Sequence, residues 1–171
     1  MLPKNKQSGD KAHYNYLGSL INMLAEIQLG ERVFDSSPRG LVTVTRDGVP
    51  VRTLARRHDG AYPGINDPWA IWEVKEYYGT TTFGSRVADG IYETMLDGTE
   101  LKELREVEHI HVTHYLAVDD RYTWWDCGRS YLCRIIDMLH DDLIDEVFFG
   151  RQVLEEWPTT VSSWPAPAAT K

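Results

Sequence analysis

Between Pro68 and Gly79 runs Trp69-Ala70-Ile71-Trp72-Glu73-Val74-Lys75-Glu76-Tyr77-Tyr78, a stretch dominated by aromatic and β-branched residues. Such a run, bounded by a proline and a glycine, reads as a strand. Side chains on a strand alternate between faces, so Ile71, Glu73, Lys75 and Tyr77 share one side while Trp72 and Val74 turn to the other, toward a core. An acid and an amine are therefore held side by side on a rigid element. Fourteen residues upstream of Glu73 stands a second acid, Asp59, in His58-Asp59-Gly60. A rival, Asp67 in Asn66-Asp67-Pro68, lies only six residues before Glu73.

The flanking stretches set the order of elements. Residues 14–29 carry Leu17, Leu20, Ile21, Leu24 and Ile27 at helical spacing, with Asn15, Ser19, Asn22 and Glu26 on the other face and Gly30 as a stop. Pro38-Arg39-Gly40 marks a turn. Residues 41–45 are strand-like, Asp47-Gly48 is a hairpin signal, and residues 49–54 return as a second strand that leads to Asp59. Gly60, Pro63, Gly64 and Pro68 then form a loop into the central strand.

Downstream, a polar loop with Thr80, Thr81 and Thr82 opens a helix over residues 86–105 through Val87, Ile91, Met95, Leu101 and Leu104. Gly90 and Gly98 weaken it, at about 1 kcal/mol each relative to Ala. Its acids (Asp89, Glu93, Asp97, Glu100, Glu103) read as a solvated face, with Glu93 able to support the charged pair from behind. Residues 110–118 form a fourth strand, 130–143 another amphipathic helix, and 146–149 a short strand. Residues 1–11 read as a flexible lead, 12–156 as one domain, and 157–171, with Pro158, Pro165 and Pro167, as an irregular tail.

A chain of 171 residues suits one domain with a sizeable core. No apolar run approaches the roughly 20 residues needed to span a bilayer, and the polar start lacks a signal-peptide core. Cys127 and Cys133 match neither a disulfide framework nor a Cys-x-x-Cys spacing, which points to a reducing, cytoplasmic setting. The net charge of −8 argues against indiscriminate nucleic-acid binding. Its distribution is uneven: Arg39, Arg46, Arg52, Arg56 and Arg57 face one acid, Asp47, in the segment leading to Asp59, whereas acids dominate residues 119–146.

The order α-β-β-β-α-β, then α-β, with Asp59 after the second strand and Glu73-Val74-Lys75 on the third, resembles the PD-(D/E)XK nuclease superfamily. That superfamily includes many restriction endonucleases and junction resolvases, and the resemblance covers roughly residues 12–150. It implies an α/β (α+β) fold with a restriction-endonuclease-like core: a mixed central sheet flanked by helices. Asp59 and Glu73, with the carbonyl of Val74, would hold Mg²⁺, Mn²⁺ substituting, because a hard divalent cation takes oxygen ligands. Lys75 would stand beside the attacking water. In some relatives an acid on the first helix joins the metal site, and Glu26 is the candidate. One departure is that His58 stands where the family carries a proline before the first acid. Asp67 competes with Asp59 for that role, although six residues leave little chain to turn between adjacent antiparallel strands.

The implied activity is metal-dependent hydrolysis of duplex DNA, in bacterial or phage defence, by a homodimer cutting both strands. Arg52, Arg56, Arg57, Thr81, Thr82 and Arg86 are the candidate DNA contacts, since cations and hydroxyls beside the acids can meet a phosphate backbone. The alternatives are a junction resolvase, or a non-catalytic nucleic-acid-binding or assembly subunit of a larger complex. His109 and His111 share a strand face, with His114 opposite; two such histidines can bind zinc, yet no third ligand is evident nearby. Trp124-Trp125 and Tyr77-Tyr78 offer rings for base stacking or for core packing. Neither a Gly-x-Ser-x-Gly elbow nor a phosphate-binding glycine loop occurs.

Overall fold

The computed structural model describes residues 16–77 and 85–167. The strand read between Pro68 and Gly79 is β4 (Ala70–Lys75), at the centre of a four-stranded mixed sheet with β3 (Gly60–Tyr62), β5 (Thr113–Val118) and β6 (Glu146–Phe149). The order is β3-β4-β5-β6. β3 runs antiparallel to β4, whereas β4–β5 and β5–β6 are parallel. Parallel neighbours need a crossover, which helices α2 (Ser85–Glu108) and α3 (Arg129–His140) provide. The protein thus has the α/β architecture expected, a mixed sheet with helices against it.

The two faces of β4 are covered differently, as its alternation demands. Ala70 and Trp72 join a cluster with Leu17, Ile21, Ala25 and Leu29 of helix α1 (Tyr16–Leu29) and with Trp157, Val161 and Trp164. Ile71, on the opposite face, packs with Leu101 and Leu104 of α2. The buried stripe of α1 runs at i, i+4, i+8 and i+12, and Ile27, expected within it, is exposed. Glu76, one residue beyond β4, accepts the first N–H groups of α1 from Tyr16 and Leu17, both at 3.0 Å. A carboxylate at that end also meets the positive pole of the helix.

Two expectations need correction. The hairpin of β1 (Thr43–Arg46) and β2 (Val49–Thr53) forms a sheet of its own rather than the first two strands of the central one. Its Asp47-Gly48 turn has the two positive φ values of a tight hairpin, 53° and 78°. The strand beside β4 is instead β3, in the glycine- and proline-rich stretch read as loop. Gly60 is required there because a Cβ would lie 1.9 Å from the Trp72 ring.

The helix read over residues 86–105 is α2, unbroken over 24 residues. Its two glycines sit at close approaches, where a Cβ on Gly90 would meet the Tyr77 hydroxyl and one on Gly98 the Leu143 carbonyl. The second correction is the tail, which is not irregular from residue 157. Helices α4 (Gln152–Glu155) and α5 (Trp157–Ser162) close the aromatic face, with Trp157 donating to the Ile21 carbonyl at 3.1 Å and Tyr62 to the Pro165 carbonyl at 2.8 Å.

Candidate active site

Asp59 and Val74 fix the site. Asp59 directly precedes β3 and prolongs its ladder, its N–H reaching the Trp72 carbonyl at 3.1 Å. Its side chain then does what a further strand residue would do, Oδ2 accepting the Val74 N–H at 2.9 Å. The N–H and C=O of one strand residue point the same way, so the Val74 carbonyl faces the same side as the Asp59 carboxylate. Asp67 is elsewhere: its carboxylate accepts the N–H of Thr45 at 2.5 Å and the Thr45 hydroxyl at 2.9 Å. Of the two rival acids, Asp59 is the one that meets Glu73-Val74-Lys75.

Glu73 and Lys75 project from β4 toward α2, only 2% and 8% exposed. Cations enclose Glu73. Arg56 lies 3.0 Å from its Oε1, and Lys75 Nζ donates to its Oε2 at 3.1 Å. Arg56 also donates through Nε to Asp97 Oδ2 at 2.7 Å. Glu93, half-exposed on α2, stands 3.6 Å from Lys75 Nζ. Burial opposes the charge on both cations, yet the attraction of Glu73, joined by Asp97 at Arg56, outweighs it and raises both pKa values. For Asp97 burial works upward, but His58 and Arg56 overcome it and hold the carboxyl below its ordinary range.

These groups line a cleft of about 620 Å³ open to solvent. Arg56, Arg57, Lys75 and Arg86 contribute positive charge; Asp59, Glu73, Glu76 and Glu93 contribute negative charge. A lining of both signs suits a phosphodiester held with a cation. A larger cavity of about 960 Å³, between α1, Trp124 and Phe149, is lined mainly by apolar side chains, with Asp119, Asp120, Arg121 and Arg151 among them. Asp119 stands at its edge, accepting the Tyr77 N–H at 2.6 Å and the Trp124 indole N–H at 2.7 Å. Burial pushes the Asp119 carboxyl up to about 6.

The remaining candidates fall out as follows. Arg56 is an interior partner of Glu73 and Asp97 rather than a free arm for DNA. Arg52 is engaged by Glu103 at 2.5 Å. Arg57 and Arg86 are exposed at the cleft. Thr81 and Thr82 lie outside the described residues. Glu26 is exposed on α1, ten residues from the end that meets Glu76, or about 15 Å along the axis. It is not among the residues that line the cleft.

Trp124 is buried, whereas Trp125 is exposed beneath Arg129. His111 pairs with Asp145 at 3.2 Å, and His114 turns inward to meet His58 and Asp97 instead of the other two histidines.

Asp97, read with the solvated face of α2, and His58 are interior groups. Asp97 occupies the buried stripe of α2, three residues after Thr94 and four before Leu101. That spacing was visible in the sequence, although the surrounding acids masked it. His58, 0% exposed, carried no such pattern. No curated protein and no solved structure matches the chain. Residues 1–164 match the family described as a domain of unknown function (DUF7687), and the chain belongs to that family.

Proposed function

We propose that this protein is a Mg²⁺-dependent endonuclease that hydrolyses DNA phosphodiester bonds. The observation that carries the reading is the hydrogen bond from the Val74 N–H to Asp59. It brings two acids, a strand carbonyl and a lysine to one solvent-open cleft, the set that the Asp59…Glu73-Val74-Lys75 pattern resembles. Asp59, Glu73 and the Val74 carbonyl are oxygen donors, which is the chemistry Mg²⁺ or Mn²⁺ takes. A bound ion would supply charge at the phosphoryl oxygens and acidify a water.

The chain's own groups supply the rest. Lys75 stays protonated between Glu73 and Glu93, so its ammonium can donate to a water and offset charge on the phosphoryl group. Arg56 holds Glu73 in place. Arg57 and Arg86 meet the phosphates flanking the scissile one. Duplex cleavage calls for two such clefts, hence a homodimer. The free, exposed Cys127 and Cys133 accord with a reducing cytoplasmic setting, and no helix among the described residues is long and apolar enough to cross a membrane. Bacterial or phage defence is the setting the resemblance favours.

Supercoiled plasmid incubated with the protein and Mg²⁺ should be nicked or linearised, with no product in EDTA or with the Glu73→Gln variant. Intact plasmid with both Mg²⁺ and Mn²⁺ would overturn the reading. A second reading then takes over, a non-catalytic nucleic-acid-binding or assembly subunit. What favours it is the engagement of both Glu73 oxygens by Arg56 and Lys75, which makes a closed ion-pair network.

A further inference from the structure

Behind the Glu73–Arg56 pair lie three side chains from three different elements. His58 comes from the segment before β3, Asp97 from α2 and His114 from β5. Their exposures are 0%, 2% and 1%. One ligand atom from each lies within 4.8 Å of the others. The His58 and His114 rings meet edge to face with centroids 6.2 Å apart, and Asp97 stands beside them. Both ring nitrogens of His58 and Nε2 of His114 are buried with no hydrogen-bond partner among the described residues. Buried polar atoms are nearly always satisfied, so a cluster that offers one nitrogen from each of two rings beside a carboxylate calls for an occupant.

The tautomer of His114 sharpens the case. Its Nδ1 lies 2.9 Å from the Leu143 carbonyl, which can only accept, so Nδ1 carries the proton and Nε2 presents a bare lone pair. A ring fixed through one nitrogen by a carbonyl, with the other nitrogen left open, is how metal-bound histidines are oriented. Arg56 fixes Asp97 by donating to Oδ2 at 2.7 Å, the same oxygen that faces His58. His58 Nε2 stands 3.6 Å from Asp97 Oδ2. In a tetrahedral zinc site, with bonds of about 2.0–2.1 Å, ligand atoms sit roughly 3.4 Å apart. The His58–Asp97 spacing is already close to that, and modest inward rotation brings in the third ligand.

We propose that His58, Asp97 and His114 form a buried site for a first-row transition ion, with Zn²⁺ as its expected occupant. Two imidazoles and one carboxylate select such an ion over Mg²⁺, which prefers oxygen donors. The near-complete burial makes the site structural: the ion ties the segment before β3, helix α2 and strand β5 behind the cleft. It is distinct from the Asp59–Glu73 site in ligands and in donor chemistry, and it does not depend on nuclease activity.

The test is metal uptake by the full chain stripped with a chelator. One equivalent of Zn²⁺ should bind and raise the melting temperature, and Co²⁺ should give the visible bands of a low-coordinate site, displaced by Zn²⁺. His114→Gln and Asp97→Asn should each abolish stoichiometric uptake, while Glu73→Gln should retain it. Should those variants fail to fold, the wild-type protein decides, because bound Co²⁺ must shift the ring protons of two histidines in the NMR spectrum. Absence of uptake by the wild type, or absence of histidine shifts, overturns the proposal. So does uptake that survives His114→Gln but is lost in Glu73→Gln, which would place the ion in the cleft.

Discussion

The guanidinium of Arg56 stands 3.0 Å from Glu73 Oε1 and binds Asp97 on its other side, so one half-buried cation neutralises two buried acids from different elements. Removing one partner of such a set strands the others. Arg56→Gln should therefore destabilise the fold by about 3 kcal/mol. Arg57→Gln, at the exposed neighbouring position, should stay within about 0.5 kcal/mol of wild type. Urea denaturation of the two variants in parallel measures the contrast.

Lys75 offers a separation of roles. Lys75→Met keeps both carboxylates and the Val74 carbonyl while removing the ammonium between Glu73 and Glu93. Plasmid cleavage should fall by about 100-fold or more, while Mn²⁺ uptake in the cleft persists. Wild-type turnover would remove Lys75 from the chemistry.

If the protein binds DNA as proposed, the arginines that reach solvent are the ones placed to meet it. Arg57 and Arg86 are exposed along the cleft, and Arg52 and Arg56 pair with Glu103, Glu73 and Asp97. If both touch phosphates, Arg57→Gln with Arg86→Gln should flatten the dependence of log K on log salt by about 1.8, since each contact contributes about 0.9. Fluorescence anisotropy with labelled duplex across a salt series reads that slope.

The last prediction concerns pH. Asp119 titrates near 6 in the folded protein because burial disfavours its charge, against 3.8 for an unburied aspartate. The folded state therefore binds the proton more tightly than the unfolded chain. Its stabilising contribution is complete below about pH 4 and is lost as the pH rises through about 6. Relative to wild type, Asp119→Asn should gain stability across that window, by up to about 2 kcal/mol. Thermal melts at pH 4.5 and 7 give the difference.

What could be read in advance follows from which interactions are local. β4, α1 and the Asp47-Gly48 turn carry their periodicity or turn chemistry within a few residues, and they fold as expected. β3 does not, because the glycine at 60 reads as a turn residue, and what requires it is the Trp72 ring on the neighbouring strand. Gly90 and Gly98 look like helix breakers until Tyr77 and Leu143 are seen beside them. The acids show the same division. Asp59, Glu73 and Lys75 belong to a recognisable pattern, while Asp97 and His58 gain meaning only when α2 crosses the sheet. The helical turns after Gly150 were hidden by prolines, of which Pro158 sits in the first turn of α5, where a missing N–H costs nothing.

The alternation along β4 ties accuracy of assembly to accuracy of the site. Shifting the strand by one residue would turn Trp72 toward α2 and thrust Glu73 and Lys75 into the aromatic cluster of Trp157 and Trp164. Such a slip would bury two charges and evict a large ring in one move, so misthreaded chains are rejected by their own energetics. The register that sets Glu73 and Lys75 in the cleft is thereby inspected whenever the protein folds.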